Sequence, residues 1–423
     1  MFAETLARWL GRRGIHYGWV MVALTFLTML ATAAVMGLVA VLILPLKAEF
    51  GWDTGDISAA FGLRVMLYGS IAPFAAAFLA RFGVRRIVSV ALALVLIGLA
   101  GASQVTSLWQ LWVTWGLIVG LATGMTALVL GATVASRWFT ARRGLVVGLF
   151  TASNATGQLL FLPLAAWMTE HYGWRMAMVP PLIACTLAWA LMLLLGRDHP
   201  SELGLAPFGE SVVVPPPPRL RGNPFSASLS ILRDVSAVPM FWVLFGTFFV
   251  CGLSTNGLVQ SHFVPLCHDF GVDAAAATGL LAVIGAFDFI GTIVSGWLSD
   301  RFSNRNLLFV YYGLRGLSLM ALPYTNFSMV GLSVFAVFYG LDWVATVPPT
   351  VRLTADTFGR AKAPIIFGWI FMAHQLGGAV AVVGAGVMRD SMGTYLPAFF
   401  ASGVLCLVAA VAILWKRRQR AVA

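Results

Sequence analysis

The chain has 423 residues, 60% of them hydrophobic and only 10% charged, with a formal net charge of +11. That mix excludes an ordinary soluble domain, in which about a quarter of residues are charged, and places the chain in lipid. The apolar runs do not alternate residue by residue, which excludes a membrane β-barrel, and the basic excess is read as membrane topology rather than a nucleic-acid surface.

Long apolar runs separated by short polar breaks predict an all-α membrane protein with twelve transmembrane helices. The first six spans cover approximately 17–45, 55–80, 84–104, 107–136, 143–168 and 174–196. The second six cover 238–266, 274–299, 305–325, 327–353, 364–388 and 394–415. Between the sets, 197–237 carries Pro215-Pro216-Pro217-Pro218 and reads as a solvated linker with extended polyproline. The expected domains are an amino-terminal six-helix bundle over 1–196, a cytoplasmic linker over 197–237 and a carboxy-terminal six-helix bundle over 238–423.

A shift of 220 residues lays the second set on the first without a gap. Pro45-Leu46 falls on Pro265-Leu266, Phe50-Gly51 on Phe270-Gly271, Arg81-Phe82 on Arg301-Phe302, Gly148 on Gly368 and Gly157 on Gly377. The chain is two copies of one membrane unit, the build of a secondary transporter.

With the amino terminus taken as cytoplasmic, 22 of the 27 Lys and Arg fall on that side, from Arg8, Arg12 and Arg13 to Lys416, Arg417, Arg418 and Arg420. Only Lys47, Arg175 and Arg389 fall outside. This positive-inside bias predicts both termini and the linker in the cytoplasm and a multi-pass protein of the cytoplasmic (inner) membrane. The run before the first span lacks a small-residue cleavage site and is expected to stay attached. Cys185, Cys251, Cys267 and Cys406 form no CxxC pair and read as buried small hydrophobes. No metal site, cofactor, nucleotide fingerprint or nucleophile with its base is expected, so the chain does not read as an enzyme.

An ionisable group near the bilayer centre costs several kcal/mol and needs a partner or a purpose. Four stand within the predicted spans: Arg64, Asp288, Arg315 and Asp342. Asp288 lies 12 residues before Asp300, Arg315 ten after Arg305 and Asp342 ten before Arg352. At about 1.5 Å per residue, all three sit roughly 15 to 18 Å from the cytoplasmic surface. Short loops make spans 8, 9 and 10 sequential neighbours, so Arg315 is expected to be held between the two aspartates. That network either pins the helices, lets a like-charge pair carry a proton, or presents Arg315 to substrate.

Arg64 has no acidic partner in its own half, which suits a fork for a carboxylate; snorkelling or bonding to a helix carbonyl are the alternatives. His374-Gln375 sits in span 11, and His374 falls by the shift on Asn154 in span 5. Solute contact, gating and plain helix-to-helix bonding remain open for these. Asn256 and Gln260 in span 7 share a face at i, i+4, with His262 nearer the outer mouth. Pro348-Pro349 is expected to kink span 10, as an ordinary bend or an inner hinge.

At the loops the sequence resembles the major facilitator superfamily. Gly296-Trp297-Leu298-Ser299-Asp300-Arg301-Phe302-Ser303-Asn304-Arg305 is similar to its loop signature, with a degenerate twin at Ala76 to Arg86. Tyr17-Gly18-Trp19 and Trp138-Phe139-Thr140-Ala141-Arg142-Arg143-Gly144 are similar to the monocarboxylate and oxalate/formate branch. Ala80 stands where the signature carries an acid, Thr114-Trp115 where proton-coupled members often place an arginine, and Asp288 is followed four residues later by Thr292 rather than arginine. The resemblance implies two bundles that rock about a central site lined by spans 1, 4, 7 and 10, with span 2 meeting span 11. Asp300, Arg301, Arg305, Arg142 and Arg143 in these loop motifs, together with Pro348 as the candidate inner hinge, are the residues expected to serve gating or conformational change.

The expected activity is alternating-access transport of a small organic anion, a monocarboxylate or an aromatic acid, as proton symport or anion exchange by a monomer. An exporter of lipophilic or cationic compounds, drawn by Asp288 and Asp342, is the rival within the fold. A transporter-shaped sensor or a channel is the rival outside it.

Overall fold

Backbone amides in hydrocarbon must be bonded within their own segment, and a chain this apolar meets that demand by being helical almost throughout. A computed structural model describes residues 2–52, 54–216 and 223–414. Among the described residues, ten helices are long and apolar enough to cross a membrane, or eleven if the bent pair Ala59–Ser70 and Ala72–Phe82 is one span. The remaining expected span, 143–168, lies within the 30-residue helix Arg143–Tyr172. Pro217, Pro218, Lys416, Arg417, Arg418 and Arg420 lie outside the described residues.

The chain divides into two compact units, Met1–Ser228 and Leu229–Ala423. The first contains α1 (Phe2–Gly11), α2 (Gly18–Gly37), α3 (Val39–Phe50), α4 (Thr54–Ser70), α5 (Ala72–Phe82) and α6 (Val84–Ala102). It continues with α7 (Leu108–Leu111), which passes through the π-helical turn Trp112–Val119 into α8 (Gly120–Met125), then α9 (Leu128–Trp138), α10 (Arg143–Tyr172) and α11 (Val179–Leu195). A linker helix, α12 (Pro224–Ser236), crosses the unit boundary.

The second unit contains α13 (Pro239–Gly252), the π-helical Leu253–Val259, α14 (Gln260–Asp269), α15 (Ala274–Ser299) and α16 (Asn304–Ala321). After them come α17 (Met329–Asp342), α18 (Val347–Phe358), α19 (Ala363–Met392) and α20 (Leu396–Leu414).

The internal repeat extends to the irregularities. Spans 1, 4, 7 and 10 are each interrupted: at Leu38, at Thr126-Ala127, by the π-helical Leu253–Val259 and at Trp343 to Thr346. Shifted by 220, Leu38 falls on Leu258 and Thr126 on Thr346. Seven of the other eight spans run as single α-helices, and span 2 bends by 53°. Broken helices concentrate where transporters place their sites, because an interrupted ladder frees backbone groups and allows movement. Helix packing repeats too. A Cβ on Gly157 would strike the Leu30 carbonyl, and one on Gly377 would strike the Phe249 carbonyl, so α10 crosses α2 and α19 crosses α13 with backbones in contact.

Two expectations are corrected here. Pro348 and Pro349 do not kink a continuous helix; they occupy the first turn of α18, where a missing N–H removes no intrahelical bond, so they start a new helix after the break. Nor is the linker simply solvated. Its first part folds back onto the first unit, where Phe208 forms a single parallel bridge with Phe139. The Phe208 amide donates to the Trp138 carbonyl at 2.8 Å, and its carbonyl accepts from Thr140 and Ala141.

The Phe208 ring packs within 6 Å of the His16, Trp19 and Phe139 rings, with the Arg142 guanidinium 5.9 Å above it. Gly18 N–H donates to His16 Nδ1 at 3.0 Å, so Nε2 carries the proton and donates to the Ala206 carbonyl at 2.9 Å. The two motifs that suggested the monocarboxylate branch thus meet around one linker residue. Further back, Asp198 accepts from the Arg85 amide at the start of α6, so a linker carboxylate serves the degenerate loop whose own acid is replaced by Ala80.

Candidate functional site

The four charges expected within the membrane are all buried: Arg64 is 6% exposed, Asp288 1%, Arg315 1% and Asp342 6%. What each one touches separates their roles.

In the second unit the break between α17 and α18 decides the arrangement. A helix end leaves carbonyls and amides without intrahelical partners, and in hydrocarbon neighbouring side chains must meet them. From α16, Arg315 donates Nε to Asp342 Oδ2 at 2.7 Å and Nη2 to the carbonyls of Asp342 and Trp343, while Nη1 points to Cys251 Sγ at 3.0 Å. From α15, Asp288 Oδ1 accepts the Val344 amide at 3.0 Å and the Thr292 hydroxyl at 2.8 Å, and Ser295 donates to the Ala345 carbonyl. Thr346 contacts Cys251 Sγ at 3.3 Å. Spans 7, 8 and 9 therefore close the break in span 10.

The expected triad is corrected by this geometry. Among the described residues Arg315 is ion-paired to Asp342 alone, and Asp288 caps the broken backbone instead of hydrogen-bonding the guanidinium. The physical reason is the orphan amide at Val344, which attracts the carboxylate that Arg315 does not need. Thr292, which stands where family likeness led one to look for an arginine, supplies a hydroxyl to the same oxygen. Arg315 has most of its five N–H groups engaged and offers no open fork to a solute.

Arg64 on α4 is the opposite case. Its Nε and Nη1 are buried and have no hydrogen-bond partner among the described residues. Tyr68 stands one turn further along, and Asn154 on α10 donates to the Tyr68 hydroxyl at 3.4 Å. Gly120 on α8 leaves room for the Arg64 backbone, since a Cβ there would lie 3.0 Å from the Arg64 Cα. A buried guanidinium with two idle donors is the open valence of the first unit.

In the second unit His374 is buried between Phe248 and Phe371, with ring centroids 5.1 and 6.0 Å away, and its Nδ1 has no hydrogen-bond partner among the described residues. Gln375 is half-buried beside it. Asn256 is half-buried and Gln260 exposed, on a stretch wound partly as a π-helix, and His262 Nε2 meets the Val382 carbonyl at 3.1 Å.

At the loops, Asp300 is ion-paired to Arg352 of α18, and Arg301 stacks on Trp297 at 3.9 Å. Arg305 reaches the Met240 sulfur, Arg142 adopts a left-handed conformation and Arg143 is buried at the start of α10.

Sequence reasoning missed a pair of clasps. Glu49, at the end of α3, takes a two-pronged bond from Arg175 at 2.7 and 2.8 Å and a third from Trp174 Nε1 at 2.7 Å. Its 220-shifted equivalent Asp269, at the end of α14, takes the same fork from Arg389 at 2.9 Å. Arg175 falls on Tyr395, and Arg389 lies over that ring, so the arginine moved while the clasp survived. The coincidence of acids at 49 and 269 was the available signal.

Hydrogen bonds from Arg175 and then Trp174 hold the Glu49 carboxyl below its ordinary value. A depressed carboxylate adds stability that is fully present above its unfolded value of about 4.5 and is lost as pH falls through the lower folded value. Solvent screening limits an exposed pair to roughly 1 kcal/mol or less. The melting-temperature gap between wild type and Glu49→Gln should therefore narrow as pH falls from 6 towards 3 in a fluorimetric scan. A gap that stays constant would show that the carboxylate charge contributes nothing.

Duplicated bundles with paired breaks and buried charge define a multi-pass membrane transporter rather than an enzyme. Residues 24–382 match the family described as Major Facilitator Superfamily, and the chain belongs to that superfamily. It is 27% identical over 401 residues to Monocarboxylate transporter 13 of Bos taurus, covering 92% of this chain and 87% of the relative. It is 28% identical over 414 residues to Monocarboxylate transporter 12-B of Danio rerio, covering 92% and 84%. Among solved structures it resembles the proton:xylose symporter XylE with a TM-score of 0.73 at 14% identity, covering 93% of this chain and 94% of that one, a likeness of fold alone.

Proposed function

We propose that the protein is a secondary active carrier of small organic anions, a monocarboxylate or an aromatic acid, working by alternating access as a proton symporter or anion exchanger. The observation that carries the reading is Arg64, a buried guanidinium whose Nε and Nη1 lack partners among the described residues. A carboxylate presents two oxygens to one edge of a guanidinium, Nε with Nη2 or Nη1 with Nη2, so each idle donor lies on an edge that can hold it, and the bond replaces water that the guanidinium gave up on burial. Similarity to proteins named monocarboxylate transporters supports the same class. Asn154 belongs to this anion site through Tyr68; His374, Gln375, Asn256 and Gln260 are solute contacts of the second bundle.

Asp288, with the Arg315–Asp342 pair beside it, is the proton-coupling group. The Asp300–Arg352 pair, Arg301, Arg305, Arg142, Arg143 and Pro348 set the conformational change. The working unit is a monomer of the cytoplasmic membrane with both termini in the cytoplasm and bundles over 1–196 and 238–423. Export of lipophilic cations is not favoured, because Asp342 is already paired with Arg315 and Asp288 is engaged by Thr292 and Val344.

Proteoliposomes should take up labelled lactate, pyruvate or benzoate saturably, and unlabelled acid inside should accelerate entry. Uptake that never saturates, or a response only to lipophilic cations, would overturn the assignment.

A further inference from the structure

We propose that α1 and the turn after it form a docking surface for the headgroups of acidic phospholipids. At 100° per residue α1 has three stripes. Ala3 and Leu10 are buried, with Leu6 and Ala7 half-buried, on the side that packs against α11. Glu4, Arg8 and Gly11 form a polar stripe that lines a cavity of about 490 Å³ with Glu202, Leu203 and Leu205 of the linker. The third stripe carries Phe2, 68% exposed, and Trp9, 47% exposed. Among the described residues only the Arg13 guanidinium lies over the Trp9 ring, and both side chains stay largely open although the other two faces are engaged.

The connection to the first span fixes where the third stripe lies. Gly14 adopts φ +71°, its amide bonds the Gly11 carbonyl, and Ile15 N–H returns to the Leu10 carbonyl at 3.0 Å, closing α1 with a sharp corner. The span begins at Gly18, so α1 sits at the membrane surface whichever way the chain inserts. A helix at that level with aromatic residues on one edge lies in the interfacial plane.

Charge selects the headgroup. Arg13 holds its guanidinium 3.9 Å from the Trp9 ring centroid, at the level where an aromatic ring meets headgroups, and Arg12 is exposed beside it. Neither makes an ion pair among the described residues, and exposed Ile15 continues the apolar edge past them. Two unpaired cations flanking a membrane-facing tryptophan fit a phosphate-bearing acidic lipid better than a zwitterionic one, since each basic residue near a charged surface favours binding about fivefold. Arg8 takes no part, being turned to the Glu202 cavity.

The test uses the full-length protein in phosphatidylcholine nanodiscs doped with brominated phosphatidylglycerol or brominated phosphatidylcholine. Subtracting the emission of Trp9→Phe from that of wild type isolates the Trp9 signal. Trp9 should be quenched by both lipids and more strongly by the brominated phosphatidylglycerol, and Arg12→Gln/Arg13→Gln should equalise the two while leaving quenching in place. No quenching by either lipid would place Trp9 against water or protein and overturn the proposal. Equal quenching in the wild type, or a preference that survives the double substitution, would overturn its headgroup selectivity.

Discussion

Replacing Arg64 by methionine is expected to raise the melting temperature of the empty carrier while abolishing its stabilisation by carboxylate ligands and its saturable uptake. The two effects have one cause. A guanidinium that is 6% exposed with two donors idle has lost its water without gaining partners, and that costs several kcal/mol before any relaxation. A methionine of similar length removes the cost and fills the space, so stability should rise by about 1 to 3 kcal/mol. Uptake should fall at least about 100-fold, because a charge-assisted two-pronged bond to an anion is worth roughly 3 kcal/mol or more. Arg64→Lys should keep weak binding, since a point charge remains without the planar fork. Were Arg64 only a structural group, methionine would leave transport intact; were it satisfied by a hidden partner, methionine would lower the melting temperature. Thermal shifts with and without lactate or benzoate separate these cases.

That residue was legible in the sequence because burying charge in lipid is costly enough to notice without coordinates. The same logic found Asp288, Arg315 and Asp342, and the 220-residue repeat gave the two-bundle plan. Their partners were not legible, because those depend on where a helix is broken. Hydropathy reads 327–353 as one apolar run, and nothing in it marks Trp343 to Thr346 as a gap whose amides and carbonyls need side chains. Pro348 hinted at an irregularity, but a proline in a first turn and a proline in a kink look alike in sequence. The linker failed for a related reason. Phe208 is one aromatic in a polar, proline-rich stretch, and only the fold shows that His16, Trp19 and Phe139 surround it.

Asp288→Asn is expected to abolish accumulation driven by a pH gradient while leaving exchange of labelled for unlabelled anion close to wild type. The substitution is unusually clean at this position. Asparagine keeps an oxygen to accept the Val344 amide and the Thr292 hydroxyl, so the break between α17 and α18 stays closed, and only the ability to take up a proton is lost. Arg315→Ala lacks that virtue. It strips the Asp342 carboxylate of its ion pair and leaves the Asp342 and Trp343 carbonyls unmet in a dry interior, which should cost about 3 to 5 kcal/mol and remove folded protein from the membrane. The contrast assigns the two halves of the network: Arg315 holds the broken helix together, and Asp288 can change charge without undoing it. If Asp288→Asn still concentrates anion against its gradient when protons flow inward, the coupling proton is carried elsewhere. If exchange is lost together with accumulation while the protein stays folded, the Asp288 charge is needed for the conformational change itself rather than for coupling.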